Sequence, residues 1–213
     1  MFSRRLKLRI GSTAVIAAAA FSLGTGSASA GVLVSSAPSC DDQPLSQPFL
    51  PWLDVAQYTP LPGGDFETGA AGWTLAGGSA VASGNESYYV AGDDDASSLK
   101  IPAGGSAVSA QICVGIAHPT IRFFAKRNAG GALGLSTMRV EVLYENNLGL
   151  LETLPIGVVT ASPNWQPPLP MTVVASLLPL LPGEHTPVQF RFTSLLGGNW
   201  SIDDIQVDPY NRR

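Results

Sequence analysis

The heptapeptide MRVEVLY, residues 138–144, alternates apolar and charged side chains, as a β-strand with one buried face does. Similar segments rich in β-branched and aromatic residues are TIRFFAKR at 120–127, MTVVASLL at 171–178 and VQFRF at 188–192. Glycine, asparagine and proline residues separate them at short intervals, and no segment keeps the period of a helix for long. The sequence therefore predicts an all-β fold, an antiparallel β-sandwich, with no long helix after Gly63.

The alternation also predicts which side chains form the core. Every second residue of a strand points to the same face, so Phe190 and Phe192 share a face, whereas Phe123 and Phe124 lie on opposite faces. The expected core residues are Phe66, Trp73, Phe123 or Phe124, Val140, Phe190 or Phe192, and Ile202. The charged strand residues are expected to face solvent, and these are Arg122, Lys126, Arg139, Glu141 and Arg191.

Composition and charge limit the classes of function. Only 13% of the 213 residues are charged, and 23 glycines with 17 prolines suit short strands joined by tight turns. The formal net charge of -4 provides no basic surface for a phosphate backbone. We therefore expect no nucleic-acid partner.

Residues 1–30 have the pattern of a secretory signal peptide. A basic start precedes an alanine-rich apolar run at 13–23, and small residues at 28–30 offer a cleavage site after Ala30. Arg4 and Arg5 also resemble a twin-arginine signal, but Lys7 stands where that pattern has an apolar residue, which favours the ordinary route. We expect a secreted, extracellular protein without a transmembrane anchor after cleavage, because the apolar run is shorter than the roughly 20 residues that a spanning helix needs.

Residues 31–62 form an extended, proline-rich lead-in to the domain at 63–213. Its segment PFLPWLDVAQY carries Phe49, Trp52 and Tyr58. A purely flexible linker seldom carries several large apolar residues. We therefore expect the lead-in to pack on the domain.

Cys40 and Cys113 are the only cysteines of the chain, and both belong to the part expected to be exported. An oxidising compartment allows such a pair to form a disulfide, which would tie the lead-in to the domain. The alternative is a zinc or redox site. It is disfavoured because there is no CxxC pair, and His118 and His185 are the only histidines.

Two further segments resemble a known family. GGDFETGAAGWTLAGG at 63–78 and GGNWSIDDIQVDPY at 197–210 are similar to the opening and closing strands of carbohydrate-binding modules with the galactose-binding-like jelly roll. A cysteine and a PFxPWxD segment ahead of the module also resemble a group of secreted actinobacterial proteins, for which the resemblance implies no activity. The family implies a jelly-roll sandwich over residues 63–209.

The resemblance also implies a metal site. Glu67 near the first strand and Asp203 and Asp204 near the last belong to neighbouring strands in that family, whose modules often hold a structural Ca²⁺ there. The alternative is that one aspartate accepts hydrogen bonds from backbone amides while the other faces water. The run at 93–95, three aspartates, lacks the spacing of an EF-hand loop and is expected to be a solvated turn.

No catalytic motif indicates an enzyme. The chain holds no GxSxG, HExxH, P-loop or dinucleotide-binding fingerprint, and His118 and His185 lie in loop contexts that do not suit a triad. Many carboxylate pairs could be drawn for glycoside hydrolysis, but a small jelly roll with no other domain attached argues against them. We therefore expect no catalytic residues.

Exposed aromatic rings are the features expected to bind a ligand. Tyr88 and Tyr89 in GNESYYVAG, Trp165 in SPNWQPP and Trp52 are the candidates, because aromatic faces stack on sugar rings. If the two tyrosines lie in a strand, they point to opposite faces, and Trp165 is expected to be the exposed tryptophan. Two functions follow. One is a secreted, non-catalytic module that binds an extracellular glycan; the other is a cell-envelope structural or protein-interaction module without a small-molecule ligand.

The disulfide prediction has a direct test. The secreted protein should react with an alkylating reagent at both cysteines, Cys40 and Cys113, only after reduction, and intact mass reports the difference. Two reactive thiols in freshly secreted, unreduced protein would contradict the bridge.

Overall fold

The computed structural model describes residues 43–115, 119–130, 135–146, 148–160, 162–173 and 185–209, with the backbone alone at His185. The predicted signal peptide, Cys40 and His118 lie outside the described residues, so cleavage after Ala30 and the disulfide stay predictions. Gln43, three residues after Cys40, donates a hydrogen bond from Nε2 to the carbonyl oxygen of Cys113 at 3.0 Å. The described chain therefore begins beside the second cysteine.

The described residues form twelve strands and one short 3₁₀ helix, Leu50–Trp52. The strands are β1 (Thr59–Pro60), β2 (Thr74–Ala76), β3 (Ala80–Ser83), β4 (Ser97–Ile101), β5 (Ser106–Val108), β6 (Ile112–Gly115), β7 (Thr120–Ala129), β8 (Thr137–Glu145), β9 (Leu151–Thr160), β10 (Met171–Thr172), β11 (His185–Leu195) and β12 (Asn199–Asp208). Within the same ranges, no helix is long and apolar enough to cross a membrane.

Two antiparallel sheets pack face to face. The first sheet has the order β10-β7-β12-β4-β3, and β1 also pairs with β12. The second sheet has the order β2-β5-β11-β8-β9, and β6 also pairs with β11. The predicted all-β antiparallel sandwich is confirmed.

The core lies between the two sheets. Phe123 of β7 contacts Phe192 of β11 across the interface, with ring centroids 5.2 Å apart. The predicted core residues are buried there, namely Phe66, Trp73, Phe123, Val140, Phe190, Phe192 and Ile202. Phe124 is also buried, but on the outer face of the first sheet, in a second aromatic cluster. Each fully buried phenylalanine contributes about 2–3 kcal/mol to the free energy of unfolding.

A β-bulge in β12 places two consecutive aspartates. Asp203 pairs with Phe124 and Gln206 pairs with Arg122, so β12 contains one more residue than β7 over this stretch. The extra residue is accommodated at Asp204, whose φ is 45°. Aspartate tolerates this left-handed conformation better than most residues. Because of the bulge, the isoleucines on both sides of the aspartates reach the core.

The lead-in packs on the outer face of the first sheet. Phe49 and Tyr58 are fully buried there against Phe124, and Trp165 completes this outer aromatic cluster. Backbone pairing holds the same segment in place, because β1 pairs with β12 and Ser46 forms a bridge with Tyr58. The sandwich therefore has a second, smaller core outside its main one.

Arg122 is buried, although the alternation predicted that it faces solvent. It is 4% exposed because the lead-in covers it. Its Nη1 lies 2.6 Å from Oδ2 of Asp54, and its Nε donates to the carbonyl oxygen of Pro168. Its guanidinium carbon lies 4.6 Å from the ring centroid of Phe49. The prediction was wrong because alternation places a residue opposite the core without showing whether another segment covers it.

Glu141 is the second charged residue that is buried against prediction. It is 4% exposed, and its Oε2 accepts a hydrogen bond from Nε of Arg191 at 2.7 Å. Nε of Arg139 lies 3.3 Å from the other carboxylate oxygen. Both arginine side chains remain about one third exposed, so this ion pair lies at the surface of the second sheet.

The buried ion pair between Asp54 and Arg122 should matter more than the surface one. Asp54→Ala is expected to lower the free energy of unfolding by about 3 kcal/mol or more, because it leaves a buried guanidinium without its counter-charge. Arg139→Ala is the control and should cost about 1 kcal/mol or less, since Glu141 keeps Arg191. Urea denaturation measures both. Equal losses would show that the Asp54 contact is only a surface ion pair.

Candidate functional site

Tyr88 and Tyr89 are exposed on the loop between β3 and β4, residues 84–96, which we call the aromatic loop. Their side chains are 46% and 49% exposed, more than any other aromatic side chain in the described ranges. Both lie outside the strands, so the expectation of opposite sheet faces does not apply. Tyr89 has a left-handed φ of 53°, a conformation that costs a non-glycine residue about 1–2 kcal/mol.

Trp165 is not the exposed tryptophan that the sequence predicted. It is 7% exposed and belongs to the outer aromatic cluster. Nζ of Lys126 lies 4.8 Å from its ring centroid, and a backbone bridge joins Gln166 to Ala125 of β7. The proline-rich segment therefore lies flat on the sheet, which turns its tryptophan inward. This side chain is not available to stack on a ligand.

Trp52 and Tyr88 meet at a right angle on the surface, and with Tyr89 they form what we call the aromatic corner. The ring centroids of Trp52 and Tyr88 are 4.9 Å apart, with an interplanar angle of 85°. Buried Phe124 lies beneath both rings, 5.3 Å from Trp52 and 5.5 Å from Tyr88. The Tyr88 hydroxyl donates to the carbonyl oxygen of Trp165 at 3.4 Å. Two of the three rings thus rest on a buried aromatic base.

Glu86 organises the aromatic loop from its interior. The residue is fully buried, and its two carboxylate oxygens accept hydrogen bonds from different backbone amides. Oε2 accepts from the amide of Tyr88 at 2.5 Å, and Oε1 accepts from the amide of Val90 at 2.7 Å. The carboxylate therefore binds the loop on both sides of Tyr89.

The two aspartates of the β12 bulge bind the same loop. Oδ2 of Asp203 accepts from the amide of Glu86 at 2.9 Å, and Oδ2 of Asp204 accepts from the amide of Ala91 at 3.3 Å. The aspartates are 0% and 1% exposed. Glu86, Asp203 and Asp204 thus form a buried carboxylate cluster under the aromatic loop.

Burial raises the pKa values of all three carboxylates. The pKa of Asp203 rises to about 9, first by burial and then by the charge of Asp204. The pKa of Asp204 rises to about 7, through burial and the charge of Glu86. Burial also raises the pKa of Glu86, while the amides of Val90 and Tyr88 act in the opposite direction.

The predicted calcium site is not assembled from Glu67, Asp203 and Asp204. Oε1 of Glu67 accepts hydrogen bonds from the amides of Ala96 and Ser97, at 2.9 and 2.7 Å, where β4 begins. Across the described ranges, no group of three or more His, Cys, Asp or Glu residues is placed to hold a metal ion.

The alternative expectation was that one aspartate bonds backbone amides while the other faces water, and it holds only in part. Both aspartates accept backbone hydrogen bonds, and neither faces water.

Of the three aspartates at 93–95, which were expected to form a solvated turn, the first two are exposed and Asp95 is partly buried. Burial and the charge of Glu67 raise the pKa of Asp95.

Sequence reasoning did not single out Glu86 as a site residue. Its neighbours in GNESYYVAG carry no apolar periodicity that would predict burial. One signal was present in β12. Ile202 and Ile205 both reach the core only if the strand bulges between them, and a bulge turns both aspartates toward the outer face. Buried aspartates there need donors, which the aromatic loop supplies.

No protein-family model matches the chain, and no curated protein matches it in sequence. Similar solved structures include a family 22 xylan-binding domain, with 16% identity, a TM-score of 0.46, and coverage of 75% of this chain and 99% of that chain. The C-terminal family 22 carbohydrate-binding module from Clostridium thermocellum has 19% identity and a TM-score of 0.45, covering 68% of this chain and 89% of that one. A family 61 module in complex with β-1,4-galactotriose has 15% identity and a TM-score of 0.43, covering 69% and 95%. These neighbours are carbohydrate-binding modules, the class that the sequence resembles.

The carboxylate cluster makes stability depend on pH. Asp203 and Asp204 have folded-state pKa values of about 9 and about 7, above that of an unfolded aspartate near 3.9, so folding takes up protons. Their contribution to stability is complete below about pH 4 and is lost as the pH rises through the folded-state values. The free energy of unfolding should therefore fall from about pH 5 to about pH 8, by at most roughly 1.4 kcal/mol per pH unit for each proton.

Denaturant titrations across this pH range measure the slope. Asp204→Asn, which has the shape of the protonated side chain, should flatten it between about pH 5 and pH 7, where Asp204 is protonated in the folded state and ionised in the unfolded state. Stability that rises over the range would contradict protonation of the cluster. A melting temperature that rises with millimolar calcium and falls with chelator would show that a cation occupies it instead.

Proposed function

We propose that this protein is a non-catalytic module that binds a single, uncharged glycan chain at the aromatic corner. The observation that carries the proposal is the Tyr88 ring, 46% exposed and held at 85° to Trp52 over buried Phe124. An aromatic face that is already fixed stacks on the apolar face of a sugar with little further loss of side-chain entropy. Tyr89 supplies a second exposed ring next to it.

The angle between the rings favours a single chain over a crystalline polysaccharide. A flat crystal face requires aromatic rings that lie in one plane. Trp52 and Tyr88 are nearly perpendicular, so they are unable to lie flat on one surface together. Rings at this angle suit one sugar residue of a soluble chain, or the bend between two residues, better than a flat surface.

Charge near the corner favours an uncharged ligand. The exposed ionisable side chains that follow the tyrosines in the aromatic loop are those of Asp93 and Asp94. Behind the corner, the cation of Arg122 is buried and paired with Asp54. These acidic side chains, in a chain whose net charge is -4, favour an uncharged ligand over a uronate or a sulfate.

The burial of the carboxylates supports binding without catalysis. Glu86 and Asp203 are fully buried and Asp204 is 1% exposed. Hydrolysis of a glycosidic bond requires two carboxyl groups that reach the sugar from opposite sides. Each of the three carboxylates accepts hydrogen bonds from backbone amides instead. The predicted export would bring the chain to extracellular polymers.

A protein partner in the cell envelope is the second candidate, because an apolar patch adjoins the corner. Leu50, Leu53 and Val55 flank Trp52 in sequence and are 50%, 92% and 70% exposed. Exposed apolar side chains grouped in this way are typical of protein-interaction surfaces.

A glycan array followed by titration with soluble oligosaccharides tests the first candidate. Tyr89→Ala should lower the affinity for the glycan roughly tenfold, the effect of losing one stacked ring. Val158→Ala, at a 54% exposed position on β9 of the other sheet, is the control and should bind as the unchanged protein does.

Three results would count against the glycan proposal. If the array shows no bound glycan, the envelope partner becomes the better candidate, and Leu53→Ala is then the variant to compare. Affinity that is indifferent to Tyr89→Ala would remove the corner as the site. Preference for crystalline cellulose or chitin over soluble chains would contradict the single-chain geometry.

A further inference from the structure

The aromatic loop displays its tyrosines in a conformation that the loop alone does not favour. Residues 84–96 form no strand, and Tyr89 adopts a left-handed φ of 53°. A backbone conformation of this kind persists only where the surrounding contacts determine it more strongly than the local preference. The contacts that could do so lie beneath the loop, in the carboxylate cluster.

The hydrogen bonds of the cluster converge on six consecutive residues. Its three carboxylates accept the backbone amides of residues 86, 88, 90 and 91. Glu86 differs from the two aspartates in bonding amides on both sides of Tyr89, so the two bonds bracket the left-handed residue. Full burial of the three carboxylates removes competition from water for these hydrogen bonds.

We infer that Glu86 is a positioning residue for the aromatic corner, because its carboxylate binds the Tyr88 and Val90 amides and thereby fixes both tyrosine rings in their exposed arrangement. The consequence for affinity rests on the proposed glycan binding, whereas the effect on loop order does not. Without the Glu86 carboxylate, the amides of Tyr88 and Val90 would lose their acceptors, and the tyrosines would have to be ordered by the ligand.

Glu67 provides a matched control within the same chain. It is a second carboxylate that accepts two loop amides, those of Ala96 and Ser97. Both amides bond the same oxygen, Oε1, so the carbonyl oxygen of a glutamine at this position can accept both. Glu86 uses both of its oxygens, and the amide nitrogen of a glutamine is unable to accept a hydrogen bond. Glu86→Gln must therefore lose one bond, while Glu67→Gln keeps both.

The experiment compares Glu86→Gln, Glu67→Gln and the unchanged protein by residue-resolved amide hydrogen exchange. In Glu86→Gln, the amide of Tyr88 or Val90 should exchange about tenfold faster or more, while amides of β8 such as that of Val142 stay unchanged. Near-ultraviolet circular dichroism of the Trp52 and Tyr88 pair should weaken in the same variant. The affinity for the glycan identified on the array should fall about tenfold, and Glu67→Gln should change none of these readouts.

Each outcome decides a different part of the inference. Unchanged exchange at both amides in Glu86→Gln would overturn the positioning role. Faster exchange with unchanged glycan affinity would overturn the role of Glu86 in binding, because the loop would then not need to be ordered beforehand. If the unchanged protein binds no glycan, the proposed function fails, and a dichroism change in Glu86→Gln but not in Glu67→Gln would still support the positioning of the rings.

Discussion

Strand β12 is buried on both faces, and the rest of the structure adapts to that constraint. Every residue from Trp200 to Asp208 is buried. The inner face lies in the main core, so the outer face must be covered by other parts of the chain. The lead-in and the aromatic loop provide this cover, although both are far from β12 in sequence. Polar side chains on the covered face must then find partners inside the protein.

Buried ionisable groups on the outer face of the first sheet are stabilised in two different ways. Arg122 is neutralised by a carboxylate of the lead-in, that of Asp54. The aspartates of the bulge have no cation among their described hydrogen-bond partners, and accept amides of the aromatic loop while burial raises their pKa values. Each solution fastens a different segment to the first sheet. The inner face of that sheet is closed by apolar packing, whereas the outer face is closed largely by hydrogen bonds and aromatic contacts.

The fold class could be predicted from sequence because period-two alternation directly reflects strand geometry. It identified Phe190, Phe192 and Val140 as core residues without any tertiary information. The same alternation failed for Arg122 and Glu141, since a residue that points away from the core is exposed only if nothing else covers it. The prediction that Trp165 is exposed was wrong for a related reason, because a proline-rich loop can lie flat on a sheet and bury its side chains.

The site was harder to predict than the fold because it depends on single backbone torsions. The family resemblance made the strands of Glu67 and Asp203 neighbours, but strand order does not determine where a carboxylate points. The left-handed residue before Glu67, Phe66 with φ of 60°, and the bulge at Asp204 set those directions. Neither torsion follows from propensity, since both occur at residues other than glycine.

The buried carboxylates and the exposed aromatic rings are linked through the conformational entropy of the aromatic loop. That entropy is lost either when the protein folds or when the ligand binds. Rings on a free loop would lose rotational and backbone freedom at the moment of binding, at about 0.5–1.5 kcal/mol for each immobilised side chain. Here the carboxylate cluster orders the backbone of the loop during folding, at the expense of burying three acidic groups. Such burial lowers the free energy of unfolding, a cost that natural proteins retain at functional sites. A cluster that serves only the core could be replaced by apolar residues, whereas one that holds Tyr88 and Tyr89 at the surface could not.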